Sequence, residues 1–491
     1  MIAPLDRLST LNARPTAADG AYVLYWMNAQ RRTGWNFGLE HAVARARELS
    51  RPLLVYEGLS ASYRWASDRF HAFVLDGMRA NAAACEAAGV SYYPYVEPDV
   101  HAGRGLLAAL TKGAALVVTD EWPCFHLPRW VARVAAESTV RVEAVDSCGI
   151  LPLRSAGKEV TRAFDMRRHL QKVAVEALHR WPLAAPLADY DRARGAAALP
   201  RALTKRWPAS DLARVDLSAL PIDHSVGVVT TQPGGQDAAR ARLLTFVQSK
   251  LARYPERNEP MADATSGLSP HLHFGHIGAH EVLDAVLRSE DWDPSSIEAA
   301  RPTGKREGFW GLSAAAEGFI DELITWREVC FNTAFHRPDD YDRFDSLPAF
   351  ARTTLAKHAG DPRPRLYSLE QLDAAETDDD VWNAAQRQLR REGVIHNYLR
   401  MLWGKRVLTW TRDARQALEF LIEMNNKWSL DGRDPNSYGG IFWCLGRYDR
   451  GWPEREVFGV VRSMTSASTR RKLDLDEYLV RYGKGQRALF D

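Results

Sequence analysis

Five short apolar runs alternate with amphipathic stretches over the first 150 residues: Ala21–Met27, Pro52–Gly58, Val90–Val96, Leu116–Asp120 and Val140–Val145. Between them, Leu39–Leu49 and Asp68–Ala88 place apolar residues at helical spacing. Strand-like runs separated by helices of this length predict βαβ units and a mostly parallel sheet. From about Trp181 to Asp237 the periodicity lapses. Prolines recur at Pro182, Pro186, Pro200, Pro208, Pro221 and Pro233, and Gly234-Gly235 closes the stretch. This predicts a long connection carrying short helices. From Ala238 onward helical periodicity dominates, which predicts an all-α second unit. The expected limits are 1–180 for the α/β unit, 181–237 for the connection and 238–491 for the helical unit.

Composition narrows the picture only in places. The 64 Lys+Arg and 62 Asp+Glu leave a net charge of +2, so any contact with nucleic acid must come from a local basic surface. The five cysteines are scattered without a CxxC pair, which argues against a disulfide framework and for a reducing compartment. The N-terminus lacks a basic segment followed by an apolar run, and no apolar stretch approaches the ~20 residues that span a bilayer. A soluble, intracellular monomer is the expectation, with no regulatory tail after about Tyr482. No GxGxxG follows the first run, so a nicotinamide dinucleotide site is not expected.

Several groups of residues suggest chemistry. Trp382, Trp403 and Trp410 fall in what reads as one helical segment, and Asn425, Asn426, Asp431, Arg433, Asp434 and Asn436 follow. Indoles beside an acidic, glycine-containing loop suggest a redox cofactor reached by an aromatic wire; packed core aromatics are the alternative. Tyr254 precedes Thr265-Ser266-Gly267-Leu268-Ser269, a hydroxyl-rich stretch able to donate to a diphosphate or simply to cap a helix. Glu322 and Trp326, four apart, would share one helical face. A carboxyl beside an indole in an apolar pocket would have a raised pKa and could donate to a carbonyl. His273, His276 and His280 stand at helical spacing, but no thiol or carboxylate pair completes a metal site, and structural histidines are expected. Arg257 and Asn258, and a C-terminal group including Arg447, Arg450, Arg462 and Lys472, offer a local basic surface, interleaved with Tyr448, Trp452 and Met464.

Taken jointly, these spacings resemble the photolyase/cryptochrome family, most closely the class II cyclobutane pyrimidine dimer photolyases. AYVLYWMNAQRR (21–32), RPLLVYEG (51–58), HLHFG (271–275) and EREVFG (454–459) add to the likeness. The resemblance implies a Rossmann-like parallel sheet followed by an all-α FAD-binding domain. It implies bent, non-covalent FAD, with Tyr254, Thr265, Ser266, Gly267, Leu268 and Ser269 near the diphosphate. Asn425 would face N5 of the flavin, and Asp431, Gly432 and Arg433 would line its polar edge. Trp403 would stand nearest the flavin in a relay with Trp382 and Trp410. Glu322, Trp326, Met401 and Trp443 would line a pocket for a dimer flipped out of duplex DNA, with Arg257, Asn258, Arg450, Arg462 and Lys472 as DNA contacts. The implied activity is light-driven electron transfer from reduced anionic FAD to the dimer, without net redox change. An antenna chromophore of open identity could occupy the first domain. Two departures stand out: Leu402 replaces a tyrosine found in some relatives, and the 447–451 loop is one residue shorter. A light receptor without repair activity is the alternative; it would not need Glu322 or the pocket tryptophans.

Overall fold

The computed structural model describes residues 2–297 and 300–484; the end of the chain beyond Tyr482, where no regulatory tail is expected, lies largely outside the described residues. The N-terminal part holds six strands: β1 (Leu8–Thr10), β2 (Tyr22–Met27), β3 (Leu53–Leu59), β4 (Ser91–Val96), β5 (Ala114–Asp120) and β6 (Val142–Val145). Their order is β1-β6-β5-β2-β3-β4, all parallel except the antiparallel edge pair β1–β6. Every residue of β2 and β5 is buried, as a sheet covered on both faces requires. The covering helices are α1 (Phe37–Glu48), α2 (Asp68–Ala88), α3 (Leu106–Gly113) and α4 (Leu127–Glu137). The five predicted runs are thus strands. The short edge strand β1 carries no apolar run, which is why the pattern does not announce it.

A parallel sheet opens a crevice where the strand order reverses, between β2 and β5. Here the crevice is filled by protein. Asp120, at the end of β5, accepts from the backbone N–H groups of Asn28, Ala29 and Gln30 at 2.9–3.0 Å. The turn at Gly275 then enters from the helical part, and Arg32 donates to the Gly275 carbonyl at 3.1 Å. Gly275 has φ +71°, and a Cβ there would lie 2.1 Å from the Ala29 carbonyl oxygen. Only glycine fits this contact.

The connection is laid over the first unit, with Leu203 and Trp207 packing on the sheet side and Leu212 and Leu220 on the α2 side. Helix α5 (Ala163–Leu178) turns the other way: Leu170, Ala174 and Leu178 share a core with Leu243, Tyr254 and Ile320. The helical part is built around α6 (Ala314–Ile320), α7 (Arg327–His336), α8 (Asp380–Glu392), α9 (Asn397–Leu408), α10 (Ala414–Trp428) and α11 (Pro435–Cys444). Arg69 of α2 ties the two parts together. It donates to the carbonyls of Leu389 and Arg390 at the end of α8 (3.3 and 2.5 Å) and of Trp428 at the end of α10 (2.6 Å). One guanidinium therefore satisfies the open C-termini of two helices. Among the described residues no helix is long and apolar enough to cross a membrane, and the five cysteines are buried and unpaired.

Candidate functional site

A buried polar cage forms where α10, the loop after it and α11 meet. Asn425, near the end of α10, donates to the Ser437 hydroxyl at 2.5 Å. Asn426 accepts from the Arg433 backbone N–H at 3.0 Å and donates to the Tyr438 hydroxyl at 3.1 Å. Gly432 passes so close to α10 that a Cβ would stand 2.8 Å from the Asn425 carbonyl oxygen. Asp431 pairs with Arg400 at 3.2 Å and accepts from Ser429. Burial pushes the Asp431 carboxyl up, but Arg400 and the hydroxyls of Ser429 and Ser269 outweigh it and hold the carboxyl below its usual range. Ser269 thus brings the Thr265–Ser269 stretch to the Asp431 loop. The helix it opens, Ser269–His273, is short. Tyr254 is buried edge-on against Phe319, with Arg257 over its ring at 4.8 Å.

Arg433 and Asp434, adjacent in the chain, turn to different partners. Arg433 donates to the Asn426 carbonyl and lies 3.7 Å from the centroid of Phe70. Asp434 instead caps α11 and meets His273 at 3.3 Å. Arg433 Nη2 and Arg400 Nε are buried without a partner, so two cationic groups at this cage retain unmet donors. That donor set fits an anionic, acceptor-rich cofactor such as FAD.

The three indoles touch in series. Trp382 stacks on Trp403 with centroids 6.3 Å apart and planes 4° apart, and meets Trp410 edge-on at 5.3 Å. Trp382 is therefore the middle member. The indoles do not share one helix as the pattern suggested. Gly393, with φ +66°, ends α8 after Trp382, and Trp410 lies beyond the end of α9. Trp410 is flanked by Tyr367 at 5.4 Å and by the Arg406 guanidinium at 4.4 Å.

Glu322 and Trp326 sit on a π-helical turn, Asp321–Trp326, between α6 and α7, rather than on a regular α-helix. Such single-turn widenings recur at functional sites. The Glu322 carboxyl lies 3.8 Å from Arg257 and keeps 40% of its side chain open. Its pKa is raised to about 6, by desolvation first, with Arg257 opposing and Asp321 reinforcing. Trp326 is half-buried and packs in a cluster with Val160, Met166 and Tyr448. On α11, Trp443 is half-buried over the buried Lys405 ammonium at 5.7 Å, and Met401 lies against Gly440 one turn away.

The basic surface is partly as expected. Arg450 and Arg462 bracket Trp452 at 5.4 and 4.7 Å, exposed Lys472 lies 4.6 Å from Tyr398, and Asn258 is exposed. Arg447 is different. It is buried, donates to the Tyr341 carbonyl at 3.1 Å and to Ser346, and serves packing. The three histidines do not share a helix face either, because the chain breaks at Gly275: His273 meets Asp434, His276 accepts from Gly235, and His280 packs on Phe37. Arg400, Lys405 and Gln386 are site residues that sequence reasoning missed. Only Lys405 carried a signal, a charge among Met401, Leu402 and Leu408 on its helix face; Arg400 and Gln386 have polar neighbours that hide them.

The chain is 32% identical over 482 residues to the deoxyribodipyrimidine photolyase of Methanothermobacter thermautotrophicus, covering 97% of this chain and 98% of the relative. The photolyases of Potorous tridactylus (32% over 462 residues, 93% and 80%) and Oryza sativa (31% over 476 residues, 94% and 87%) are similar along most of their length. No family model matches the chain. The fold resembles that of a class III photolyase from Agrobacterium tumefaciens, with a TM-score of 0.66, 19% identity, and coverage of 94% of this chain and 86% of that one. With two photolyases matching at 32% over more than nine-tenths of its length, this chain belongs to the deoxyribodipyrimidine photolyase family of enzymes.

Proposed function

We propose that this enzyme repairs cyclobutane pyrimidine dimers in double-stranded DNA by light-driven electron transfer, and that it is of class II. The observation that carries the reading is that one helix, α9, supplies both Arg400, which pairs with Asp431 in the polar cage, and Trp403, which begins a contiguous line of three indoles. FAD is the cofactor the cage would hold: Tyr254 and Thr265–Ser269 toward the diphosphate, and Asn425, Asp431, Gly432 and Arg433 toward the ring. When bound and reduced, it supplies the photoexcited electron donor.

The rest falls to side chains. Arg257, Asn258, Arg450, Arg462 and Lys472 take phosphates, and flipping the lesion costs a few kcal/mol, less than at an intact pair. Trp326, Met401 and Trp443 line the pocket and exclude water. Glu322, held partly protonated by its surroundings, donates a hydrogen bond to a pyrimidine carbonyl where negative charge develops. Trp403, Trp382 and Trp410 deliver electrons inward when the cofactor is oxidised. Residues 1–180, 181–237 and 238–491 form the two units and their connection, with α5 as the piece of the first that docks on the second.

Purified protein is expected to carry FAD, and to bind a duplex with one thymine dimer more tightly than the undamaged duplex. Equal affinity for both duplexes would contradict the lesion pocket.

A further inference from the structure

Gln386 is fully buried on α8, one turn beyond Trp382. Its Oε1 accepts from the Trp403 indole Nε1 at 2.9 Å, and its Nε2 donates to the Asp373 carbonyl at 3.2 Å. An indole N–H can only donate and a backbone carbonyl can only accept, so the two partners fix the orientation of the amide. Trp382 makes the equivalent bond, from its Nε1 to the Trp403 backbone carbonyl at 2.9 Å. Both inner indoles therefore end on an amide oxygen, which accepts a hydrogen bond but is too weak a base to take the proton.

That choice matters for an indole that loses an electron. Oxidation makes its N–H acidic; a base at the nitrogen would remove the proton and pin the electron vacancy there. We propose that Gln386 is a positioning residue of the relay: it orients Trp403 while withholding a base, so that the vacancy moves outward by electron transfer alone. The step rests on the relay reading above. Trp403 gives one electron to a photoexcited oxidised flavin, the oxidant. Trp382 then gives one to Trp403, and Trp410 one to Trp382. No proton moves at Trp403 or Trp382.

Gln386→Glu tests this in the flavin-loaded full-length protein. While the introduced carboxyl is neutral it keeps the shape and both hydrogen bonds; once ionised, it is a base against Trp403. Its infrared carboxyl band marks the ionisation. The yield of lasting flavin photoreduction is expected to fall several-fold across that ionisation, with no such step in the parent protein. Electron paramagnetic resonance is expected to find a deprotonated indole radical at Trp403 in place of one at Trp410. Gln386→His, which offers a neutral base without any ionisation, is expected to trap the same radical. If both variants match the parent at every pH, the role of Gln386 is overturned. Trp403→Phe separates the two failures: photoreduction persisting in that variant would overturn the relay reading and this proposal with it. Photoreduction lost in Trp403→Phe but unaltered in both Gln386 variants would overturn Gln386 alone.

Discussion

Glu322 shows how a single residue's surroundings set its chemistry. Its pKa of about 6 means that the protonated, hydrogen-bond-donating form is present below that pH and is lost as pH rises through it. Repair per bound lesion is accordingly expected to decline as pH rises through about 6, with the midpoint moving up if the lesion excludes further water. Glu322→Gln keeps a donor at every pH and should flatten the profile; a profile that declines equally in the variant would assign the titration elsewhere. A hydrogen bond to a charged group contributes about 1.5–3 kcal/mol, so Glu322→Ala should cost roughly ten- to a hundredfold in repair rate. At this scale Glu322, Asn425 and Asp431 stood out in the sequence only through the resemblance of the motifs around them. The sequence was silent on partners that arise only by folding. Arg69 meets carbonyls more than 300 residues away, and nothing in its neighbourhood in sequence points to them.

At the scale of elements, buried runs were legible because strands covered on both faces are apolar throughout, whereas the edge strand β1 is not. The π turn was not legible: one extra residue in a helix leaves the apolar spacing almost unchanged. It follows that removing Thr325, a buried residue of that turn, should restore an α-helical register and misplace Glu322 against Trp326. Expected is a folded protein by circular dichroism with FAD retained and lesion repair lost; full repair by the deletion would show the widened turn to be incidental. The clamp at the ends of α8 and α10 gives a second element-level outcome. Arg69→Met removes the side-chain donor from the Arg390 and Trp428 carbonyls, at about 1–3 kcal/mol each, while the Leu389 carbonyl keeps its bond from the Gly393 N–H. A lower melting temperature and faster FAD release are expected, because α8 carries Trp382 and α10 carries Asn425. Unchanged stability in a thermal scan would contradict the clamp.

For the whole molecule, the periodicity announced an α/β part followed by a helical part, but not how they meet. The docking at Gly275 depends on a glycine in a left-handed turn, whose need is visible only once the Ala29 carbonyl is seen against it. Gly275→Ala is expected to destabilise the protein by more than the ~1–2 kcal/mol of backbone strain alone, since the Cβ would collide with that carbonyl. Differential calorimetry of the variant measures this, and a loss within the strain figure would mean that the turn adjusts freely. The proposed DNA contacts also belong to this scale. Lys472→Ala should reduce the salt-dependence slope of DNA binding by about one, while leaving preference for the lesion intact. Light-driven repair is decided by incubating flavin-loaded, photoreduced protein with an oligonucleotide carrying a thymine dimer, in light and in darkness. The thymines are expected to be restored in light alone; no restoration despite bound, reducible FAD would rule out repair by this enzyme.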